Sequence, residues 1–170
     1  MNLRWIQRNL PCGSQRSGWA GLLILGALVL PASAHARNGM TWAKVSHEAT
    51  YSSDQVGCAG CEPYIGDTSC STALPILCMK SDGSPNPGLA TDFYHGWKGG
   101  HIHLTPPVLG TQLLGIANAD ATCQAYFGPG YGMAEFHHPG GAWYWSAYGN
   151  VASSSRFWVY INDQPANCWD

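Results

Sequence analysis

The chain has 170 residues and a formal net charge of −2, and only 11% of its residues are charged. Such a mildly acidic protein is a poor candidate for binding nucleic acid or anionic lipid, because both recruit Lys and Arg. Gly occurs 21 times, and Trp and Tyr occur eight times each. This composition is typical of a loop-rich exported fold with aromatic packing and argues against a helical bundle.

The first 36 residues have the form of a secretory signal peptide. Three arginines precede an apolar run of twelve residues, Trp19–Leu30, and small residues then offer a cleavage position after Ala34 or Ala36. A membrane anchor is the alternative, but a spanning helix needs about 20 apolar residues. We therefore expect residues 1–36 to be removed and the protein to be secreted or periplasmic, with no membrane span after cleavage.

Six cysteines would remain after this cleavage, and an even number in an exported chain indicates disulfides. The sequence does not choose among their pairings. Four of them lie in a Cys-rich, turn-rich segment, residues 37–95, which also contains the turn-forming run Asp82–Gly88. The six are Cys58, Cys61, Cys70, Cys78, Cys123 and Cys168.

Three interpretations compete for the four cysteines of the Cys-rich segment. Structural disulfides are the first, and the spacing of Cys70 and Cys78 would suit a short closed hairpin. A four-cysteine zinc site is the second, because the C-x-x-C pair Cys58 and Cys61 would chelate a metal. A redox-active C-x-x-C is the third, but it needs a helix N-terminus to lower the thiol pKa, and the residues after Cys61 do not resemble one. Structural disulfides are favoured, because export compartments oxidise thiols.

Two histidines are candidate metal ligands. The run His101–Thr105 alternates like a strand after an expected turn at Gly99–Gly100, so His101 and His103 would point to one face. His137 is the first choice for a third ligand. The alternative, which we favour, is a polar sheet face of hydrogen-bonded histidines, because the sequence determines no third ligand, and we expect no cofactor. The other candidates for the third ligand are His95, Glu135 and His138.

One helix and several strands are predicted from local patterns. Residues 108–127 carry apolar side chains at helical spacing, with a break expected near Asn118. Gly128 and Pro129 should end this helix. Strands are predicted from β-propensity at Thr41–Ser46, Trp143–Gly149 and Arg156–Ile161.

Several motifs follow one another in the last third of the chain. In order they are a helix with Ala119-x-x-x-Cys123, then Phe127-Gly-Pro-Gly-Tyr131, Trp143-Tyr-Trp-Ser146, Phe157-Trp-Val159 and a final Cys168. This order resembles a C-type-lectin-like domain, most closely the compact bacterial variants with a Gly-Trp-Arg-Leu-Pro-Thr turn after the helix. The match covers about residues 100–170.

The resemblance implies an α+β fold over residues 96–170, with one main helix packed on short antiparallel strands, loop-rich and disulfide-stabilised. It also implies a bridge between Cys123 and Cys168, which would stabilise the fold by about 3–4 kcal/mol in the loop-entropy model. Bacterial sequences similar to this one often carry the label flagellar hook-length control protein. That role does not fit an export signal of this kind, because hook-length regulators are large and leave through the flagellar apparatus.

This sequence departs from the family pattern at two places. Gly132 stands where the compact variants have Arg, and Ala134-Glu135 replaces Pro-Thr. Sugar-binding members hold calcium with a Glu-Pro-Asn or Gln-Pro-Asp loop followed by a Trp-Asn-Asp strand. Here Ile161-Asn162-Asp163 precedes Gln164-Pro165, which is the reverse order. The resemblance therefore does not imply calcium-dependent sugar binding.

The leading functional hypothesis is a non-catalytic, calcium-independent binding module for a glycan or an extracellular protein. Alternating aromatic residues on strands can stack on sugar rings or anchor a partner. Alternation would place Trp143 and Trp145 on one face, and one face of the sheet should be buried. The candidate ligand contacts are Trp143, Trp145, Tyr148 and Trp158.

Two other hypotheses remain open. A structural extracellular or appendage-associated protein fits the predicted disulfides equally well. A metal-dependent enzyme would use His101 and His103, with Glu135 as a general base. The sequence contains no H-E-x-x-H motif and no G-x-S-x-G motif, so it indicates no catalytic residue.

Overall fold

The computed structural model describes residues 37–137 and 143–170. The predicted signal peptide, residues 1–36, lies outside these ranges, as does the loop 138–142 that contains the candidate ligand His138. Within the described ranges there is no apolar helix long enough to span a membrane.

Short strands separated by turns make up most of the described chain, together with one α-helix and one turn of 3₁₀-helix, Gly110–Gln112. The fold is therefore α+β, as predicted. The elements are β1 (Asn38–Gly39), β2 (Thr41–Glu48), β3 (Ser53–Gly57), β4 (Thr68–Ser69), β5 (Ala73–Leu74), β6 (Leu77–Ser81), β7 (His95–Leu104), β8 (Val108–Leu109), α1 (Ile116–Phe127), β9 (Gly132–Met133), β10 (Tyr144–Tyr148) and β11 (Phe157–Trp158).

Seven of these strands form one mixed sheet in the order β11-β2-β3-β10-β7-β6-β9. Neighbouring strands are antiparallel except β10 and β7, which are parallel. Strands β2, β3 and β6 come from the expected Cys-rich segment and the other four from the expected module, and the boundary between the two falls at the start of β7. The two expected parts therefore share one sheet, in which each supplies backbone hydrogen-bond partners of the other.

The core is packed by aromatic side chains from the predicted strands. Trp42, Trp145 and Phe157 are fully buried. The rings of Trp42 and Trp145 lie 5.7 Å apart, and Phe136 meets Trp42 edge-on at 5.5 Å. Burial of side chains of this size contributes roughly 1.5–3 kcal/mol each. The expectation that one face of β10 is buried is confirmed, with Trp145 and Ala147 as its core residues.

The two glycines at positions 99 and 100 lie inside β7 and do not form the expected turn. Gly99 has a φ of +63°, and the pairing of β10 with β7 shifts register opposite this point, which gives the strand a bulge. Gly100 lies so close to β6 that an added Cβ would be 1.9 Å from the Lys80 carbonyl oxygen. Glycine is needed here for a bulge and for close strand pairing.

The helix α1 is shorter than predicted because its first residues are used elsewhere. Val108 and Leu109 pair with β5, and the helix begins only after Gly115, whose φ is +142°. Its end at Phe127 is as predicted, with Gly128 at a φ of +94°. The strand predicted at Arg156–Ile161 is also shorter, since only Phe157 and Trp158 pair with β2.

Three disulfides join the described cysteines, and two of them differ from what was expected. The bridge Cys123–Cys168 implied by the resemblance is wrong, as is a hairpin closed by Cys70 and Cys78. Cys123 lies on the buried side of α1 facing β6 and pairs with Cys78, while the Sγ of Cys168 packs against Gly110 and Gly39, next to Cys70. The bridges are Cys58–Cys61, Cys70–Cys168 and Cys78–Cys123.

These pairings also exclude the zinc interpretation, because Cys70 and Cys78 are bonded to partners outside the Cys-rich segment. The two long-range bridges span 98 and 45 residues. In the loop-entropy model each contributes about 4–5 kcal/mol by restricting the unfolded chain. They tie Cys168 and α1 to the Cys-rich segment.

Candidate functional site

The four aromatic residues predicted to contact a ligand have different environments. Trp145 and Trp158 are 0% and 1% exposed, so both are core residues and cannot contact a ligand directly. The indole of Trp158 donates to the Val108 carbonyl at 3.2 Å. Trp143 is 36% exposed, because it precedes β10 and its side chain does not enter the core. Sequence alternation predicted that Trp143 and Trp145 share a face, and the structure places Trp145 inside β10 and Trp143 directly before this strand.

Trp143 lines a cleft of about 160 Å³ at one end of the sheet. Its ring meets Phe136 edge-on, with ring centres 5.2 Å apart, and Phe136 is itself packed on Trp42 in the core. This contact restrains the indole in the lining of the cleft, which we call the Trp143 cleft. It is lined by Pro63, Tyr64, Phe136, His137, Trp143, Ile161, Asp163 and Gln164.

The loop after the Cys58–Cys61 bridge also lines the Trp143 cleft, with Pro63 and Tyr64. Tyr64 extends from this loop and is 58% exposed. The loop is held by the Asp67 carboxylate, which accepts from the backbone N–H groups of Glu62 and Thr41, both at 3.1 Å. A second aromatic ring is therefore presented from a short loop that is tied to strand β2.

Polar side chains occupy the rim of the Trp143 cleft. The Nδ1 of His137 lies 3.2 Å from a carboxylate oxygen of Glu135 and 3.8 Å from one of Asp163. Glu135 is buried and Asp163 is exposed, so the histidine connects an inner and an outer carboxylate. Together with the amide of Gln164, these groups can donate to and accept from the hydroxyl groups of a ligand.

The predicted metal ligands are not brought together. His101 and His103 do lie on one face of β7, as expected. However, the His101 Nδ1 lies 2.8 Å from the Asp82 carboxylate, and the His103 ring stacks on Phe127 at 4.9 Å. In residues 37–137 and 143–170 no three His, Cys, Asp or Glu side chains are grouped so as to hold a metal ion.

His137 is absent from that histidine face and belongs to the Trp143 cleft, where its ring contacts Phe136. Desolvation by its ring neighbours, with a smaller contribution from the charge of His101, lowers the pKa of His103. The geometry is that of a polar and aromatic sheet face, the alternative that the sequence favoured.

The segment after β6, residues 82–92, is hydrogen-bonded to side chains of β7 and β10. The Trp97 indole donates to the Ser84 carbonyl at 2.9 Å, and the Tyr148 hydroxyl donates to the Pro85 carbonyl at 3.0 Å. The Ser84 hydroxyl, followed by His101, lowers the pKa of Asp82 to about 2. Tyr148, predicted to contact a ligand, therefore anchors this loop with its hydroxyl.

Lys98 is a candidate functional residue that sequence reasoning missed. It is 4% exposed, and its ammonium nitrogen has no hydrogen-bond partner among the described residues. Burial lowers the pKa of Lys98 to about 6, against a smaller opposing effect of Glu135. Its burial could have been predicted from the alternation of β7, which places position 98 on the same face as the core residue Ile102.

Comparison with known proteins adds no identification. No protein-family model matches the chain, nor does any curated protein or any solved structure. The C-type-lectin-like assignment therefore stays a prediction from the residues, and the bridge Cys123–Cys168 that it implied is not formed.

Proposed function

We propose that this protein is a secreted or periplasmic, non-catalytic binding module that recognises a glycan in the Trp143 cleft without calcium. The observation that carries the proposal is the placement of Trp143, whose indole is partly exposed while it packs in a T-shaped contact against Phe136. An aromatic ring that is fixed before binding loses little conformational entropy when a ligand stacks on it.

The chemistry of the Trp143 cleft favours a sugar over a purely apolar ligand. Sugar rings present apolar C–H faces, which stack on aromatic rings, and hydroxyl groups at their edges, which need hydrogen-bond partners. Trp143 and Tyr64 supply the rings, while His137, Asp163 and Gln164 supply donors and acceptors. Asn162-Asp163 precedes Gln164-Pro165, which is the reverse of the order in calcium-binding C-type lectins, and this supports binding without calcium.

Three disulfides support an extracytoplasmic location, because such bonds persist in oxidising compartments. The predicted signal peptide supports the same location. A structural extracellular role would use the same disulfides and would not need the Trp143 cleft, so binding measurements separate the two functions.

The test is binding of the oxidised protein to a panel of immobilised glycans of varied monosaccharide composition, with EDTA present throughout. We expect the protein to retain one class of glycan, and Trp143→Ala to weaken that binding at least tenfold, since truncating a central aromatic contact costs about 2 kcal/mol or more. Absence of glycan binding by the unmodified protein would contradict the proposal and favour the structural role.

Tyr64 and Tyr126 form a matched pair for this test, because they are 58% and 55% exposed. Tyr64 lines the Trp143 cleft, whereas Tyr126 lies on α1. We expect Tyr64→Ala to weaken glycan binding and Tyr126→Ala to leave it unchanged. Equal effects of the two substitutions would show that the Trp143 cleft is not the binding site.

A further inference from the structure

The third disulfide, Cys58–Cys61, closes a turn of only four residues. The Cys61 N–H donates to the Cys58 carbonyl at 2.9 Å, and the two residues between them, Ala59 and Gly60, have φ values of +41° and +85°. Positive φ at both central positions defines a type I′ turn, for which Asn, Asp and Gly are preferred.

Ala59 is an unfavourable residue at its position. A side chain with a Cβ in the left-handed region costs roughly 1–2 kcal/mol, a cost that Gly60 does not have. Such a conformation persists only where the surroundings impose it. Here the bridge itself holds the two ends of the turn together, so breaking the bridge would allow Ala59 to leave the left-handed region.

Of the three disulfides, Cys58–Cys61 is the most accessible to an attacking thiol. Ala59 and Gly60 are exposed and Cys61 is half-buried, whereas Cys58 is buried. The cysteines of the other two bridges are buried. Those bridges connect distant elements, while Cys58 and Cys61 are three residues apart. Opening the Cys58–Cys61 bridge therefore leaves the sheet and α1 joined.

A guanidinium group lies against the same turn. Arg156 donates to the carbonyl oxygens of Cys58 and Ala59 at 3.0 and 3.1 Å, and its Nε donates to the Thr41 hydroxyl at 2.6 Å. A fixed positive charge beside a cysteine stabilises the thiolate form. The Asp67 carboxylate lies 3.9 Å from the Arg156 Nε and offsets part of this charge. Arg156 therefore adds a positive charge at the backbone of the turn, a feature that the sequence had not indicated.

We propose that Cys58–Cys61 is a thiol–disulfide exchange site that accepts two electrons from a dithiol. A thiolate of the dithiol attacks the Sγ of Cys61, a mixed disulfide forms, and the Cys58–Cys61 bond breaks with Cys58 leaving as a thiolate. The second thiolate of the dithiol then attacks the dithiol sulfur that is bonded to Cys61, and Cys61 leaves as a thiolate. The dithiol is oxidised to a disulfide, and the two protons that it loses end on Cys58 and Cys61.

The first experiment exposes the oxidised protein to buffers of graded dithiothreitol potential, labels free thiols and maps the labelled peptides. We expect Cys58 and Cys61 to be labelled over a range in which Cys70–Cys168 and Cys78–Cys123 stay closed and the near-ultraviolet circular dichroism is unchanged. Opening of all three bridges together with loss of the folded signal, or opening of Cys58–Cys61 last, would overturn the proposal.

A second measurement identifies the attacked sulfur. Brief exposure to glutathione followed by rapid alkylation should give a glutathione adduct on Cys61 and an alkylated Cys58, because Cys58 is the buried leaving group. The adduct on Cys58 would contradict the proposed direction of attack.

Two substitutions in the turn test the role of backbone strain. Ala59→Gly removes the cost of the left-handed conformation, so it should shift the exchange equilibrium toward the closed bridge by about fivefold. Gly60→Ala adds such a cost at a position where an added Cβ meets no atom within 4 Å, so it should shift the equilibrium about fivefold the other way. Unchanged equilibria in both variants would show that the turn is not strained by the bridge.

Discussion

The ammonium nitrogen of Lys98 lies over the indole ring of Trp145, 4.8 Å from its centre, in the core of the sheet. A cation over an aromatic face gains about 0.5–2 kcal/mol, which favours the charged amine. The fall in the pKa of Lys98 from 10.5 to about 6 corresponds to several kcal/mol in the opposite direction. Desolvation outweighs the indole contact, so the amine is largely neutral at pH 7.

Replacement of Lys98 should therefore stabilise the protein. Lys98→Met retains the apolar stem and removes the buried amine, and we expect the free energy of unfolding at pH 7 to rise by about 1–4 kcal/mol. Urea unfolding of the oxidised protein measures this change. Lys80→Met is the control, because Lys80 is only half-buried, and it should change the free energy by less than about 0.5 kcal/mol. A loss of stability in Lys98→Met would contradict this account.

The same residue predicts how stability depends on pH. The pKa of Lys98 is lower in the folded state than in the unfolded state, so between about pH 6 and the unfolded value of 10.5 the unfolded chain binds more protons. Below about pH 6 the buried Lys98 lowers the free energy of unfolding by its full amount. As pH rises from about 6 to 10.5 this destabilisation is lost, so the free energy of unfolding increases. Urea titrations at pH 6, 7.5 and 9 should show that Lys98→Met has a flatter dependence than the unmodified protein. Parallel profiles would contradict the prediction.

Trp143 and Trp145 should separate binding from stability. Trp145 is fully buried against Trp42, so Trp145→Ala should cost about 3–5 kcal/mol. Trp143 contacts one ring and is partly exposed, so Trp143→Ala should cost about 1 kcal/mol or less while abolishing most glycan binding. Denaturant unfolding and glycan binding on the same preparations check both statements. If Trp143→Ala lowered the free energy of unfolding as much as Trp145→Ala, Trp143 would be a core residue and the prediction would be wrong.

The two long-range disulfides should each be needed for full stability. Replacing Cys78 and Cys123 together, or Cys70 and Cys168 together, by Ser should lower the free energy of unfolding by about 2–5 kcal/mol. Non-reducing peptide mapping of the unmodified protein should recover both bridged peptides. Recovery of a peptide that links Cys123 to Cys168 would show instead that the resemblance to C-type-lectin-like domains predicted the pairing correctly.

A buried carboxylate on β3 should be a further stability determinant. Asp54 is fully buried, 2.8 Å from the Lys44 ammonium and 2.6 Å from His47, and it accepts from the Val151 N–H. Asp54→Asn keeps the shape but leaves Lys44 without its counter-charge, so we expect a loss of about 3–5 kcal/mol. Asp163→Asn, on an exposed side chain, should lie within about 0.5 kcal/mol of the unmodified protein, and thermal and urea unfolding compare the two. Equal effects would contradict the prediction.

The features that the sequence predicted correctly depend on neighbours in the chain. The end of α1 at Phe127 follows from a glycine in the left-handed region and a proline after it. Strand β2 and the buried face of β10 follow from β-propensity and period-two alternation. The α+β class follows from the same local signals, as one helix among short strands.

The Trp143 cleft was only partly predictable. Trp143 and His137 were both named from the sequence, but for different sites, and Tyr64 was not named at all. Trp145 and Trp158 resemble Trp143 in sequence, and only packing shows that they are buried. Aromatic residues favour both cores and binding sites, so composition does not distinguish the two.

What the sequence determined by itself is therefore the α+β class, the end of α1, strand β2, the buried face of β10 and the six cysteines of residues 37–170, because propensity, capping and alternation act over a few residues. What only the tertiary structure decided is which elements meet: Cys78 with Cys123, Cys70 with Cys168, and Lys98 with Trp145. The interleaving of early and late strands in one sheet brings these pairs together. Such contacts depend on the free energy of burying whole faces against each other, and no local pattern in the chain encodes that choice.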